Sequence, residues 1–379
     1  MTHVHAEAAK NTNNAAEQNS SKIIEGSNIM NTIFEKVNPI NPDEEVIKKA
    51  AEIIKNGGLV AFPTETVYGL GADGLSEYAA KKIYEAKGRP SDNPLILHIS
   101  SINQLMLLVS EIPEMSYTLM EKFWPGPLTM VFKKSPIIPE CITGGLDTVA
   151  VRFPVNKVAQ RLISEAGTPI AAPSANSSGK PSPTRASHVQ FDLDGKIDMI
   201  IDGGACEFGL ESTVVDVTGE VPVILRPGAV TEEMILKAVG KVEIDPAIQN
   251  KPNGDFKPKA PGMKYKHYSP KAKIVLVEGE SQKVVEKINL LSQQMNNQGK
   301  KVGVMATEQT KDKYICENVF VVGDRENPYT IAANLFKLLR KFDYLGIDIV
   351  YSETFSDNDI NAAIMNRLEK AAGYDIIQA

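Results

Sequence analysis

Residues 245–272, DPAIQNKPNGDFKPKAPGMKYKHYSPKA, hold five prolines and two glycines with no apolar period. Proline fixes φ and removes a backbone donor, so neither a helix nor a central strand runs through such a stretch. The stretch therefore divides the chain in two. Length asks for the same division, since a single core stops growing near ~250–300 residues and this chain has 379. We expect a Pro/Lys-rich linker over 242–272, a first domain over 33–241 and a second over 273–379. Residues 1–32 are rich in Asn, Ala, Ser and Glu, lack the apolar core of a secretory signal, and read as a polar, flexible extension.

Within the first domain, residues 43–58, DEEVIKKAAEIIKNGG, carry apolar side chains at helical spacing and stop on a glycine pair. SEYAAKKIYEAKG and KVAQRLISEAG repeat that signature, while PLILHI, LTMVFKK, TVAVRFP, IDMIIDGG, STVVDVTG and VPVILRPG read as short strands. Some strand-to-strand steps are too short for a crossover helix, so the sheet should be mixed. In the second domain KIVLVEG, KVGVMA, VFVVGD and IDIVYSE alternate mainly with helical segments. That order predicts a small, mainly parallel Rossmann-like sheet, and an α/β class for the whole chain.

Several function classes drop out. A formal net charge of -6 argues against a protein that coats nucleic acid, yet leaves room for a local basic cleft around a phosphate-bearing small molecule. Cys141, Cys206 and Cys316 form no C-x-x-C pair, which suits a reducing cytoplasm. No apolar run reaches the ~18 residues of a membrane span. His3 and His5 read as part of a solvated tail rather than a metal site. Gly69, Gly71 and Gly74 in GLGADG have the spacing of a dinucleotide fingerprint, but Pro63, Thr64 and Thr66 intervene and no helix opens there. A tight turn with positive φ is the better reading. Walker-type, H-E-x-x-H and G-x-S-x-G signatures are absent.

What remains is hydroxyls and cations near strand ends. In KGRPSDNPLILHI, residues 87–99, Pro90 pushes Arg89 extended, so Lys87 and Arg89 should face one side of an exposed loop. Two cations side by side suit a polyphosphate. Leu95, Leu97 and Ile99 share one face of the following strand and His98 shares the other with Ile96; alone, His98 reads as structural. Thr148, Ala150 and Arg152 share a strand face, and a cation there needs a partner or a cleft. Ser174 and Asn176, Ser212 and Thr213, and Arg226 each have a bland reading as turn or cap chemistry. Their gathering in one domain is harder to dismiss.

The blocks FPTETVYGLG, KGRPSDNPLILHI, WPGPLT, VAVRFP, PSANSSG, ESTVVD and LRPG, in this order over about residues 40–235, resemble the threonylcarbamoyl-AMP synthase family with its YrdC-like catalytic domain. Its signature K-x-R with S-x-N is here Lys87/Arg89 and Ser174/Asn176. PGMKYKHYSP and AIMNRLEKAA resemble the long, two-domain members, although DNDINAAIMNRL lacks the glycine-containing stretch such a tail carries. The resemblance implies that L-threonine, bicarbonate or CO2, and ATP give threonylcarbamoyl-AMP and pyrophosphate, for the N6-threonylcarbamoyl modification of adenosine beside the tRNA anticodon. It implies that Thr64, His98, Arg152 and Ser212 hold threonine. ATP would be held by Lys87, Arg89, Ser91, Thr148, Ser174, Asn176 and Arg226, with Tyr268 as a lid or a tether between domains. Lys87 and Arg89 would lie nearest the phosphates and carry the catalytic burden. Mg2+ would arrive on the ATP phosphates rather than in a protein cage. The partners implied are a downstream tRNA-modifying transferase, tRNA itself at most weakly, and no membrane; the location implied is cytoplasmic. An RNA-binding module and a carbamoyl transferase acting on a partner protein are the alternatives. The charge and scarce aromatics weigh against the first, and the lack of zinc-finger-like and acylphosphatase-like segments against the second.

Overall fold

The computed structural model describes residues 31–248, 267–356 and 359–379. His3, His5, most of the expected extension and residues 249–266 of the expected linker lie outside the described residues. Eleven strands make the first sheet: β1 (Ile33–Lys36), β2 (Val60–Phe62), β3 (Gly69–Asp73), β4 (Ile96–His98), β5 (Leu128–Lys133), β6 (Thr148–Arg152), β7 (Ile170–Ala171), β8 (Met199–Asp202), β9 (Thr213–Asp216), β10 (Val223–Arg226) and β11 (Glu243–Ile244). Their order is β1-β8-β2-β3-β7-β4-β6-β5-β9-β10-β11. Parallel pairs such as β4 with β6 alternate with antiparallel ones such as β5 with β6, so the sheet is mixed, as the short connections require.

The helices form where the sequence caps them. Asp43 accepts from the backbone N–H groups of Glu45 and Val46 to open Glu44–Lys55, and Asn156 does the same for Lys157–Ala166. These two helices share an apolar cluster with β2 and β8 (Ile47, Ile54, Phe62, Leu162, Ile163, Ile201). The opposite side of the sheet packs Leu95, Leu97, Ile99, Val149 and Val151 against other helices, which leaves Ile96, His98, Ala150 and Arg152 on the face away from that core.

The second sheet has β12 (Lys273–Glu278), β13 (Val302–Thr307), β14 (Val319–Gly323), β15 (Ile349–Glu353) and β16 (Ile376–Gln378), ordered β14-β13-β15-β12-β16. Every neighbouring pair is parallel, the Rossmann-like arrangement expected. The strand β16 was not legible: three residues with two isoleucines carry too little periodicity. No helix among the described residues is long and apolar enough to cross a membrane.

GLGADG corrects one expectation. It is strand, and Gly69, Gly71 and Gly74 are not among the glycines with positive φ. Close packing demands them instead: a Cβ on Gly71 would lie 2.8 Å from Ile170 Cγ2 and from Phe62 Cε1, and one on Gly74 only 2.5 Å from Leu97 Cδ2.

The two domains share an apolar cluster in which Val67, Leu210 and Ala229 meet Phe336, Leu339 and Ile364. Gly209, with φ of +71°, lies so near the helix Pro328–Leu345 that a Cβ would stand 2.5 Å from the Ala333 Cα. Arg340 on that helix reaches Asp192 at 2.8 Å.

Candidate active site

The helix Glu77–Lys87 starts at Ser76, whose Oγ accepts from Ala79 N–H, and ends on Gly88 in the left-handed region at φ 61°. Arg89 N–H then returns to Tyr84 O at 2.9 Å, closing the helix end. This corrects the expected exposed, extended loop. Lys87 is the last helical residue and only 4% exposed, and a glycine reversal brings Arg89 to the same side. Proline is secondary; Gly88 does the turning.

The Lys87 ammonium donates to the carbonyls of Ser174 and Asn176, and Ser178 N–H donates back to Lys87 O at 2.8 Å. Ser174 Oγ donates to Asn176 Oδ1 at 2.6 Å, and Asn176 Nδ2 to Ser177 O and Lys180 O. K-x-R and S-x-N are thus one hydrogen-bonded unit across 87 residues of sequence. Burial pulls the Lys87 pKa well below the usual lysine range, and the charge of Arg89 adds to the fall. Arg89 drops to about 10 for the same first reason, burial. Its Nη2 donates to Pro94 O at 3.0 Å, while its buried Nε has no protein acceptor.

Pairing of β4 with β6 sets His98 beside Arg152. Burial first, then the charge of Arg152, pushes the His98 pKa down to about 3, so the ring is neutral. It lies edge-on to Phe62, with Nδ1 3.2 Å from Ile96 O. Arg152 has found a protein partner. It pairs with Glu65 Oε1 at 2.5 Å and donates to Thr66 Oγ1 at 2.8 Å and to Gly126 O at 3.3 Å. The cation on this strand face thus has the partner the sequence asked for, and two of its five N–H groups remain for a ligand carboxylate. Glu65 Oε2 stays buried and unpartnered.

Thr64 is occupied with its own loop: Oγ1 donates to Val67 O at 2.6 Å and accepts from the N–H groups of Thr66 and Val67. Ser212 Oγ lies 2.7 Å from Thr129 Oγ1. Arg226 donates to Ser212 twice, Nε to the carbonyl at 3.0 Å and Nη2 to the hydroxyl at 3.1 Å. Burial lowers the Arg226 pKa to about 10, against the opposing pull of Tyr268 and Glu211.

One cavity, with about 730 Å³ of empty space including its mouth, collects Thr64, Lys87, Arg89, His98, Arg152, Ser174, Asn176, Ser212, Arg226 and Tyr268. Ser91 and Thr148 do not line it. Ser91 is exposed in the turn after Pro90, and Thr148 opens β6 at the end remote from Arg152, roughly 13 Å along the strand. Tyr268 is 5% exposed, holds φ at 63° and stacks on Phe336 of the second domain at 5.1 Å. Sequence reading missed Lys180, Ser182, Glu211 and His267, which also line the cavity. Glu211 sits in ESTVVD and His267 in KHYSP, so the blocks contained them, but nothing local separates a lining residue from a packing one. Glu211 is the carboxylate of the wall, and both its oxygens are engaged, by Ser182 and by Arg367.

Comparison with known proteins agrees with this geometry. Residues 52–228 match the family described as telomere recombination, and residues 230–373 the threonylcarbamoyl-AMP synthase C-terminal domain. The threonylcarbamoyl-AMP synthase of Pyrococcus abyssi is 52% identical over 89% of this chain and 96% of its own length. That of Bacillus subtilis is 46% identical over the same shares. A crystal structure of P. abyssi Sua5 complexed with L-threonine superposes with a TM-score of 0.87 at 51% identity, covering 92% of this chain and all of that one. Sequence blocks, sheet order and cavity converge on one conclusion: the chain belongs to the threonylcarbamoyl-AMP synthase family and is an adenylyl-transferring enzyme.

Proposed function

We propose that the cavity joins L-threonine, bicarbonate or CO2, and ATP. The threonine amine becomes a carbamate, a carbamate oxygen attacks the α-phosphorus, and pyrophosphate leaves. The observation that carries this reading is the convergence of Lys87, Arg89, Arg152 and Arg226 on one cavity whose lining carboxylate, Glu211, is already engaged. Four cationic side chains beside a single lining carboxylate, itself held by Ser182 and Arg367, suit an anionic ligand.

Lys87, Arg89 and Arg226 hold the triphosphate and take up the charge that grows on the departing pyrophosphate. Ser174 and Asn176 fix the Lys87 ammonium through their carbonyls, which positions it without neutralising it. Arg152, held by Glu65 and Thr66, offers its remaining N–H groups to the threonine carboxylate, beside the neutral His98, Ser212 and the Thr64 loop. A neutral His98 keeps a second positive charge away from the threonine amine. No side chain has to act as a nucleophile, since positioning and charge stabilisation supply the rate.

Mg2+ fits as a passenger on the ATP phosphates, where it would screen the charge of the leaving group. The wall of cations, and a Glu211 whose oxygens are both engaged, supply no cage for it. The product feeds N6-threonylcarbamoyladenosine formation in tRNA, by way of a separate transferase, in the cytoplasm. The test is to incubate the full chain with ATP, labelled bicarbonate and threonine and to measure pyrophosphate. Threonine-dependent release with label in an adenylate supports the reading. Release that ignores threonine, or none, refutes it.

A further inference from the structure

Beside Arg340, a second arginine of the second domain bonds to the first. Arg367, on the helix Asp359–Ala372, is fully buried. Its Nε donates to Glu211 Oε2 at 3.0 Å and its Nη1 to Pro227 O at 2.7 Å. Those acceptors flank the substrate wall: Glu211 precedes Ser212, and Pro227 follows Arg226. Since Arg226 itself donates to Ser212 through Nε and Nη2, the contacts close a ring that runs Glu211, Ser212, Arg226, Pro227, Arg367 and back to Glu211. Asn366 Oδ1 accepts from Arg367 Nη1 at 3.2 Å, and the Tyr268 ring covers the guanidinium at 5.9 Å. Ser182, another lining residue, donates to the other oxygen of Glu211.

We propose that Arg367 is a positioning residue for adenylation, through which the second domain sets the orientation of Ser212 and Arg226. The inference rests on the reading that these two residues touch substrate. A mere docking ion pair needs one acceptor; Arg367 spans two, on separate turns, each bonded covalently to a cavity residue. The planar fork holds both acceptors in one fixed geometry, whereas a lysine ammonium would present its three donors from a single nitrogen with no set orientation. Loss of Arg367 unties Glu211 and Pro227, the chain neighbours of Ser212 and Arg226, and so lets both cavity residues shift together; small misplacements of this kind cost about 100-fold in rate.

The experiment uses full-length Arg367→Met and Arg367→Lys, with kcat, KM for ATP and for threonine, threonine affinity by calorimetry, and thermal unfolding. The Met variant should lose about 100-fold in kcat/KM. Threonine should bind about tenfold more weakly, and the Lys variant should recover part of both losses. Adding Glu211→Gln to Arg367→Met should cost less than about twofold more, because both break the same ring. Threonine affinity within about twofold of wild type in both variants, or losses that multiply in the double variant, would overturn the proposal. If the Met variant unfolds, the Lys variant with unchanged Tm carries the measurement. Ser212→Ala separates the two layers. Threonine binding unaffected by it sinks the site assignment itself; binding lost there but normal in both Arg367 variants sinks only the ring.

Discussion

Each domain buries a carboxylate among hydroxyls and an arginine at the end of its sheet, and the two clusters have opposite fates. In the second domain Glu353, 2% exposed at the end of β15, accepts from Thr310, from Tyr314 at 2.7 Å and from Arg325, with Thr307 at 3.4 Å. One anion is matched by one cation and three hydroxyls, so the charges balance although Arg325 Nε is buried without a protein partner. In the first domain Glu65 pairs with Arg152 and Glu211 with Arg367 of the second, while Lys87, Arg89 and Arg226 line the same cavity, and Arg89 Nε, His267 Nε2 and Glu65 Oε2 remain buried without protein partners. A balanced cluster is a strut, whereas an unbalanced one is a site that waits for its ligand.

The sharpest way to break that contrast is at the phosphate end. Lys87→Ala or Arg89→Ala should lower threonine-dependent pyrophosphate release by at least about a thousandfold, in line with removing charge that stabilises a transition state. Circular dichroism should show the fold retained, because each side chain donates to loop carbonyls and not to the sheet ladders. A full-rate Arg89→Ala enzyme would end the phosphate-grip assignment. Glu353→Ala should do the reverse. It strands Tyr314 and Arg325 and lowers the unfolding free energy by about 2 kcal/mol, discounted because Arg325 is a third exposed and reaches water. Denaturant unfolding measures that loss, with pyrophosphate release expected at wild-type rate; a dead but fully stable Glu353→Ala enzyme would erase the distinction between strut and site.

The smallest effect is in protons. Burial and Arg89 hold the Lys87 pKa low while the cavity is empty, and a bound triphosphate pulls it back up. ATP binding should therefore take up protons at a pH below the ordinary lysine range. Calorimetry in buffers of different ionisation enthalpy reads the uptake, and it should vanish in Lys87→Met. Uptake that persists in that variant assigns the proton elsewhere, with Lys370, held near 7 mainly by burial, as the next group to test.

Fold class was legible because the information was local, whereas most cavity residues came from the family resemblance, since alone His98 read as structural and Ser174, Asn176, Ser212 and Arg226 as turn or cap chemistry. Caps at Asp43, Ser76 and Asn156 mark helix starts, and alternation around His98 and Arg152 separates core from cavity face. What failed was whatever depended on tertiary context. Pro90 suggested an extended Lys87, yet helix propagation through Ala86 and the reversal at Gly88 decided its place. Thr148 shares a strand face with Arg152, but a face is not a position along it, and the far end of β6 lies outside the cavity. Arg367 stood in plain view within AIMNRLEKAA, where helical spacing says only which side is buried and not that the partner is another domain.

The clearance at Gly209 bears on inheritance. Two halves that meet with no room for one methyl group between Gly209 and Ala333 cannot drift in sequence independently of each other. A shortened descendant that dropped the second half would bare Val67, Leu210 and Ala229 to water and would have to recolour that surface with polar residues before it could survive alone.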